Sequence, residues 1–292
     1  MRPNGRLRRP PQREAGGVDD EARTLNLSNW ESRVPFHLAG YGIERLLADA
    51  SAVSGVVAFD RPRLGDIAGL DAVHLQCHIG TDTLSLARLG ARMTGLDFSP
   101  SAIAAAADLA TKAGVEVEYV VADLDDAPAA LGRNRFDLVY TGIGALCWLP
   151  DIRRWASVVA SLLRPGGRLF IREGHPVLWA MCDPRDDDLL VLEFPYFEVP
   201  GGTRFVESKT YIEHEGDLAQ PITIGYNHGL GEIITALLDE GMTLTSFEEH
   251  RSVPWNPLGD VMVEGDDEEF RLRDGADRLP LTYTLQARKP AE

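Results

Sequence analysis

The sequence predicts an α/β fold on a mostly parallel, Rossmann-like sheet, and three observations carry that prediction. Apolar strand candidates alternate with helical periods between Ala72 and Glu173, a helix start signal follows the second strand, and a Gly-Gly stop precedes the fifth. Strands separated by helices of that length imply crossover connections and hence a parallel sheet.

The strand candidates are 72–76, 92–97, 115–122, 136–141 and 168–173. The runs LSLARLG, SAIAAAADLATKAG and IRRWASVVASLLRPGG supply the helices between them. Ser99-Pro100 starts one of these, with a serine to cap free N–H groups and a proline preset for the first turn. Gly166-Gly167 after Pro165 ends another. Ahead of the first strand, residues 1–24 are Arg-, Pro- and Gly-rich with little to bury, and are expected to form a disordered tail. Residues 25–70, with NWESRVPFHLAGYGIERLLADA, predict N-terminal helices placed as a lid over the main domain at 71–292. After Glu173 the alternation breaks. FPYFEVPGGTRFVESKTYIEHEGD reads as a hairpin or short antiparallel sheet around Pro200-Gly201-Gly202, so a small β insertion is expected at about 177–226, on the substrate side. A helix, GEIITALLDEG, and two strands, TLTSFEEH and LTYTLQARK, complete the chain.

Composition narrows the function. The 292 residues carry 45 acidic against 29 basic side chains, a net charge of −16 that repels phosphate backbones and anionic lipid. Nucleic acid and membrane are therefore not expected as partners. Cys77, Cys147 and Cys182 lack metal-ligand spacing, which predicts a reducing compartment and no bound metal. Without a signal-peptide core or a membrane-length apolar run, the protein is expected in the cytoplasm.

The chemistry begins at Asp97. A carboxylate seventeen residues past Gly80, ending the neighbouring strand, is placed to accept both hydroxyls of a ribose lying across the strand ends. Asp123, in VVADLDD at the third strand's end, can take a hydrogen bond from an exocyclic amine, and Leu124 can offer an apolar face to a purine.

Together GLDFSP, VVADLDD, FDLVYTGIGALCWLPD and LLRPGGRLFIREGHP make the chain resemble the class I S-adenosylmethionine-dependent methyltransferases from Val73 onward. The resemblance implies a seven-stranded sheet ordered 3-2-1-4-5-7-6 with the last strand antiparallel. It also implies S-adenosyl-L-methionine as cofactor and contacts to it from Gln76, His78, Gly80, Asp97, Phe98, Asp123, Leu124 and Thr141. The first loop departs from the family's acid-x-Gly-x-Gly-x-Gly: His74 stands at the acid, Gln76 and His78 at the first two glycines, and Gly80 at the third. Glycine there allows close approach of the cofactor's methionine half to backbone N–H groups, an approach that Gly80 still permits. A group of small-molecule methyltransferases carries a similar Leu-Gln-Cys-His-x-Gly stretch.

With the acid replaced, Arg33 in WESRVPFH is the candidate to clamp the cofactor's carboxylate. Trp30 and Tyr41 are candidates to close over the sulfonium or the acceptor, since an aromatic face attracts a cation. Trp148 is a candidate pocket wall, while Glu173 and Tyr226 are candidates to orient a polar substrate. His175 and His228 are the candidate general bases, needed only for an acceptor that arrives protonated. Phe194, Tyr196, Phe197 and Tyr211 suit an aromatic acceptor and equally suit a hairpin core. The reading is methyl transfer to a small-molecule acceptor, O or N, by in-line displacement. Two alternatives stand beside it: a non-catalytic S-adenosylmethionine-binding regulator, and a dinucleotide-dependent oxidoreductase, which normally needs the missing glycines.

Overall fold

The computed structural model describes residues 16–212 and 214–291. Most of the stretch expected to be a disordered tail lies outside the described residues, and the remainder is helical. The long helix α1 (Gly16–Gly40) begins before the boundary expected at residue 24. Tertiary anchoring holds this end: Ala22 is buried, and the Asn26 carboxamide both donates to the Ile224 carbonyl (2.9 Å) and accepts the Ile224 N–H (2.8 Å). Two more helices follow, α2 (Ile43–Ala48) and α3 (Gly55–Leu64), the latter capped by Ser54, whose hydroxyl accepts the Val57 N–H.

The alternating core runs β1 (Asp71–Leu75), α4 (Thr81–Arg88), β2 (Arg92–Asp97), α5 (Pro100–Ala113), β3 (Glu118–Val121), α6 (Ala127–Leu131), β4 (Phe136–Thr141), α7 (Ile152–Leu162) and β5 (Leu163–Gly174). Ser99 caps α5 as expected, with its hydroxyl accepting the Ala102 N–H, and Pro100 opens the helix. Helix α7 buries Ile152, Trp155, Ala156, Val159 and Leu162, a spacing that puts one face on the sheet. Then come α8 (Pro176–Trp179), β6 (Thr203–Val206), β7 (Ile222–Gly225), α9 (Leu230–Asp239), β8 (Thr243–His250), β9 (Met262–Glu264), β10 (Phe270–Leu272) and β11 (Thr282–Arg288).

The main sheet has seven strands in the order β3-β2-β1-β4-β5-β11-β8. The first five are mutually parallel, and β11 runs antiparallel to both β5 and β8. Since β8 and β11 are the sixth and seventh sheet strands in the chain, this is the expected 3-2-1-4-5-7-6 order with the last strand reversed. The carboxyl ends of β1 to β4 therefore open side by side, where ligands bind in such sheets.

Two additions flank that end. Within the expected insertion α8 is followed by the antiparallel β6–β7 pair, so Pro200-Gly201-Gly202 leads into β6 and is not the turn of a hairpin. The second, 251–281, contains the β9–β10 hairpin and was not expected from its Pro-, Asp- and Gly-rich sequence, which reads as a loop between two strands. The two additions share a small core in which Leu178 meets Val253, Leu258, Met262, Leu272 and Leu281. Among the described residues no helix is long and apolar enough to cross a membrane.

Candidate functional site

The loop after β1 takes the backbone path of a glycine-rich turn without its glycines. Gln76 (φ 56°), His78 (φ 48°) and Gly80 (φ 76°) all lie in the left-handed region, which costs about 1–2 kcal/mol for a residue with a Cβ. Backbone bonds over-determine the path. Cys77 N–H donates to the Leu96 carbonyl (2.9 Å), His78 N–H to the Asp97 carboxylate (2.8 Å) and Gly80 N–H to the Cys77 carbonyl (3.0 Å). Strain that persists in this way is a mark of a functional loop.

Gly80 serves a different purpose from the one expected. A Cβ there would lie 2.6 Å from the Tyr119 hydroxyl and 2.7 Å from the Ala106 Cβ, so the missing side chain makes room for packing among α4, β3 and α5. Gln76 and His78, in contrast, line the cavity at the strand ends. The Gln76 amide donates to the Ala145 carbonyl (3.0 Å), and its buried Oε1 has no partner.

Asp97 closes β2 at 5% exposure. Its Oδ1 accepts the Ser99 N–H (2.9 Å) and its Oδ2 the His78 N–H, which leaves a further lone pair on each oxygen. Burial raises its pKa to about 6, and the same backbone bonds oppose that rise. Phe98, Asp123 and Leu124 also line the cavity. Asp123 accepts the Asp125 N–H (3.0 Å) and pairs with Arg23 of α1 at 2.7 Å.

Over this cradle lies α1. Arg33 is 4% exposed, gives its Nε–H to Asn29 Oδ1 (2.6 Å), and sits 5.3 Å and 5.8 Å from the ring centres of Trp30 and Trp148. Its guanidinium is 3.8 Å from Glu207, and burial lowers its pKa. Trp30 meets His78 edge-to-face at 4.9 Å and Trp148 at 5.3 Å. The Tyr41 and Tyr211 hydroxyls are hydrogen-bonded to each other.

Sequence reasoning missed His37. Its Nδ1 bonds His78 Nε2 (2.8 Å) and its Nε2 bonds the Thr210 hydroxyl (2.7 Å), so one imidazole ties α1, the loop after β1 and the 177–226 segment together. Burial, first of all, lowers the pKa of His37 to about 2 and of His78 to about 3. Both rings are neutral at physiological pH. His74, aligned with the family's acid, is likewise neutral: burial lowers its pKa to about 3, and its Nδ1 bonds the Thr83 hydroxyl (2.9 Å). The nearby carboxylate is instead Asp82, in the first turn of α4, which lines the cavity with a pKa raised by burial. Its place two residues after Gly80 was the available signal.

Several candidates are used elsewhere. Glu173 does not line the cavity. Its carboxylate accepts the N–H groups of Gly144 (2.7 Å), Ala145 (2.9 Å), Leu146 (2.8 Å) and Gly174 (2.6 Å), so it holds the loop after β4 in place and is not available to a substrate. Thr141 is fully buried in the sheet, and Gly142 reaches the cavity in its place. His175 caps α8, with Nδ1 accepting the Val177 N–H (3.1 Å) and Nε2 bonded to Glu249 (3.0 Å). His228 is held between Glu198 (2.9 Å) and the Leu149 carbonyl (2.8 Å). Neither histidine lines the cavity or has a ring nitrogen free to take a proton there. Tyr226 and Trp148 do line it.

Residues 72–167 match the family model described as a methyltransferase domain. The match takes in the strands from β1 to β4 and the loops that carry Gln76, His78 and Asp97. Among curated proteins, the ubiquinone biosynthesis O-methyltransferase of Xanthomonas euvesicatoria pv. vesicatoria is 36% identical over 106 residues, which is 36% of this chain and 44% of that protein. Its counterpart from Methylobacterium sp. is 38% identical over 104 residues, 36% of this chain and 41% of that protein. The chain spans less than half the length of these relatives. Among solved structures, an S-adenosylmethionine dependent methyltransferase from Mesorhizobium loti superposes with a TM-score of 0.58 at 22% identity, covering 81% of this chain and 98% of that one. The 4+2 cyclase SpnF gives a TM-score of 0.56 at 16% identity, covering 95% and 98%. At these identities the two structures share the fold alone.

Proposed function

We propose that this chain transfers a methyl group from S-adenosyl-L-methionine to a small-molecule acceptor, with oxygen or nitrogen as the accepting atom. The observation that carries the proposal is the left-handed run 76-78-80 leading into Asp97, a cradle held open at an energetic cost and faced by an unpartnered Gln76 Oε1. The residues present fit the cofactor. Asp97 has lone pairs for two ribose hydroxyls, Leu124 offers an apolar face for adenine, and Asp123 can accept its exocyclic amine. Arg33 suits the methionine carboxylate, while Gln76 Oε1 and Asp82 suit the ammonium. Bound there, S-adenosylmethionine supplies an electrophilic methyl on a sulfonium.

The chain's contribution is placement and exclusion of water. We read α1 as a lid, closed through His37, Tyr41 and Arg33, that shields the reacting atoms. The lowered pKa of His78 makes it a weak base, so the site favours acceptors that need little help in losing a proton, such as phenols or neutral amines. The O-methyltransferase relatives support oxygen. The test is an acceptor-library screen with methyl-labelled cofactor, in which label should appear on a phenol or amine. Tight binding of a nicotinamide dinucleotide with no affinity for S-adenosylhomocysteine would contradict the proposal.

A further inference from the structure

The cavity measures about 1790 Å³, while the pocket of one drug-sized ligand is typically about 300–1,000 Å³. The volume left beyond a nucleoside-sized cofactor matches a second ligand of several rings. Its walls are unusually aromatic. Trp30, Trp148, Trp179 and Trp255, four of the chain's five tryptophans, line this one space.

Part of the cavity's lining is an aromatic wall in which Trp179 and Trp255 cover one another's faces. Trp179 and Trp255 stack with ring centres 5.6 Å apart and planes 23° from parallel, and Tyr211 extends the wall 6.4 Å from Trp255. The wall is built in advance of any ligand. Trp179 lies so close over Gly174 that a Cβ there would be 2.6 Å from the indole. Trp255 sits between Pro254 and Pro257, beside Val253, whose N–H and carbonyl both bond to Phe270 (3.1 and 2.8 Å). Rigid aromatic surfaces bind flat apolar ligands at little ordering cost.

Charge narrows the ligand further. Asp183, Glu207, Glu264 and Glu268 line this cavity; Glu207 pairs with Arg33 (3.8 Å), Glu268 with Arg45 (4.0 Å) and Lys209 with Asp217 (3.3 Å), so the uncompensated charge among these groups is that of Asp183 and Glu264. A sulfonate or phosphate on the ligand would meet repulsion there. We propose that the acceptor is a neutral, planar, multi-ring arene bearing a hydroxyl or amine, held by face and edge contacts against the Trp179–Trp255–Tyr211 wall. This inference rests on the methyl-transfer reading for the reacting end of the ligand, and on the wall alone for its ring system.

The test is calorimetric titration of phenol, naphthol and phenanthrol into the full chain saturated with S-adenosylhomocysteine. Phenanthrol is expected to bind at least a hundredfold tighter than phenol, and naphthalenesulfonate at least tenfold weaker than naphthol. Trp255→Ala should cost phenanthrol tenfold or more, leave S-adenosylhomocysteine affinity unchanged and be largely restored by Trp255→Phe. A flat ring series, an unaffected phenanthrol affinity in Trp255→Ala or naphthalenesulfonate binding as tightly as naphthol would overturn the inference. Failure of S-adenosylhomocysteine itself to bind would refute methyl transfer instead, and the ring series on the unloaded protein would still decide the wall.

Discussion

From Gln76 to Ala145 the cavity is bounded by loops leaving β1 to β4, consecutive parallel strands of one sheet. The opposite side is bounded by α1, 177–226 and 251–281, whose strands pair only in small sheets of their own. The first side is set by backbone geometry: the left-handed loop, the Asp97 bonds to two amides and the Glu173 bonds to four. The second is tied on by side chains, through His37, Arg33, Tyr41 and Asn26. The difference teaches that one scaffold can hold a fixed cofactor cradle while the enclosing wall varies with a few contacts. Breaking the backbone-built side should cost stability, and breaking the other should loosen the enclosure.

The largest effect of a single substitution is expected at Glu173. Glu173→Ala leaves four amide donors without their acceptor, at about 1–3 kcal/mol for each one that stays buried. We expect about 4 kcal/mol of lost stability in urea unfolding, with cofactor affinity falling as the 142–146 loop is released. A loss under about 1 kcal/mol would mean that the loop holds itself.

Acid should act next, on both sides at once. Burial holds His37, His74 and His78 neutral in the fold down to about pH 2, 3 and 3, whereas in the unfolded chain each takes a proton near the ordinary imidazole value of 6.5. Their folded pKa values are depressed, so the unfolded state binds more protons below pH 6.5. The native state should lose up to about 1.4 kcal/mol per histidine for each pH unit below that point. Thermal unfolding across pH 7 to 4 should show this fall, and His37→Asn should make it shallower. A midpoint that does not move over that range would contradict the neutral assignment.

The smallest effect is expected at the two histidines first read as bases. Outside the cavity, His175→Ala and His228→Ala should each change turnover by less than about threefold, far from the roughly hundredfold or greater loss that removal of a general base brings. Each should cost about 1 kcal/mol of stability through its lost hydrogen bonds. A hundredfold fall in either variant would return that histidine to the chemistry.

The two sides also differ in how far the sequence reveals them. Strand, loop, helix and terminal acid are contiguous around Gly80 and Asp97, so the α/β class is legible in the pattern, while the sheet order follows from the family that the motifs resemble. The direction of a side chain is not legible: Glu173 and Thr141 lie at the expected strand ends, but one turns to backbone amides and the other into the sheet. The packing that leaves no room for a side chain at Gly80 comes from Tyr119 and Ala106, more than twenty residues away in the chain. The second side is assembled across much longer separations. His37 meets Thr210, and Tyr211 meets Trp255, contacts that carry no local pattern. The 251–281 segment lacks periodicity because its few apolar residues pack on 177–192 and not on the main sheet.

The central claim is that the variant loop and Asp97 form a working S-adenosylmethionine cradle. Calorimetric titration of S-adenosylhomocysteine into the wild-type chain and into Asp97→Ala tests it most directly. We expect saturable one-to-one binding to the wild type, and about a hundredfold weaker binding to the variant, since two hydrogen bonds to a carboxylate are removed. The variant should also lose about 2 kcal/mol of stability, half the Glu173 loss, because the His78 and Ser99 amides lose their acceptor, so both chains are titrated well below their unfolding midpoints. No binding to the wild type, or equal affinity in both chains, would contradict the account.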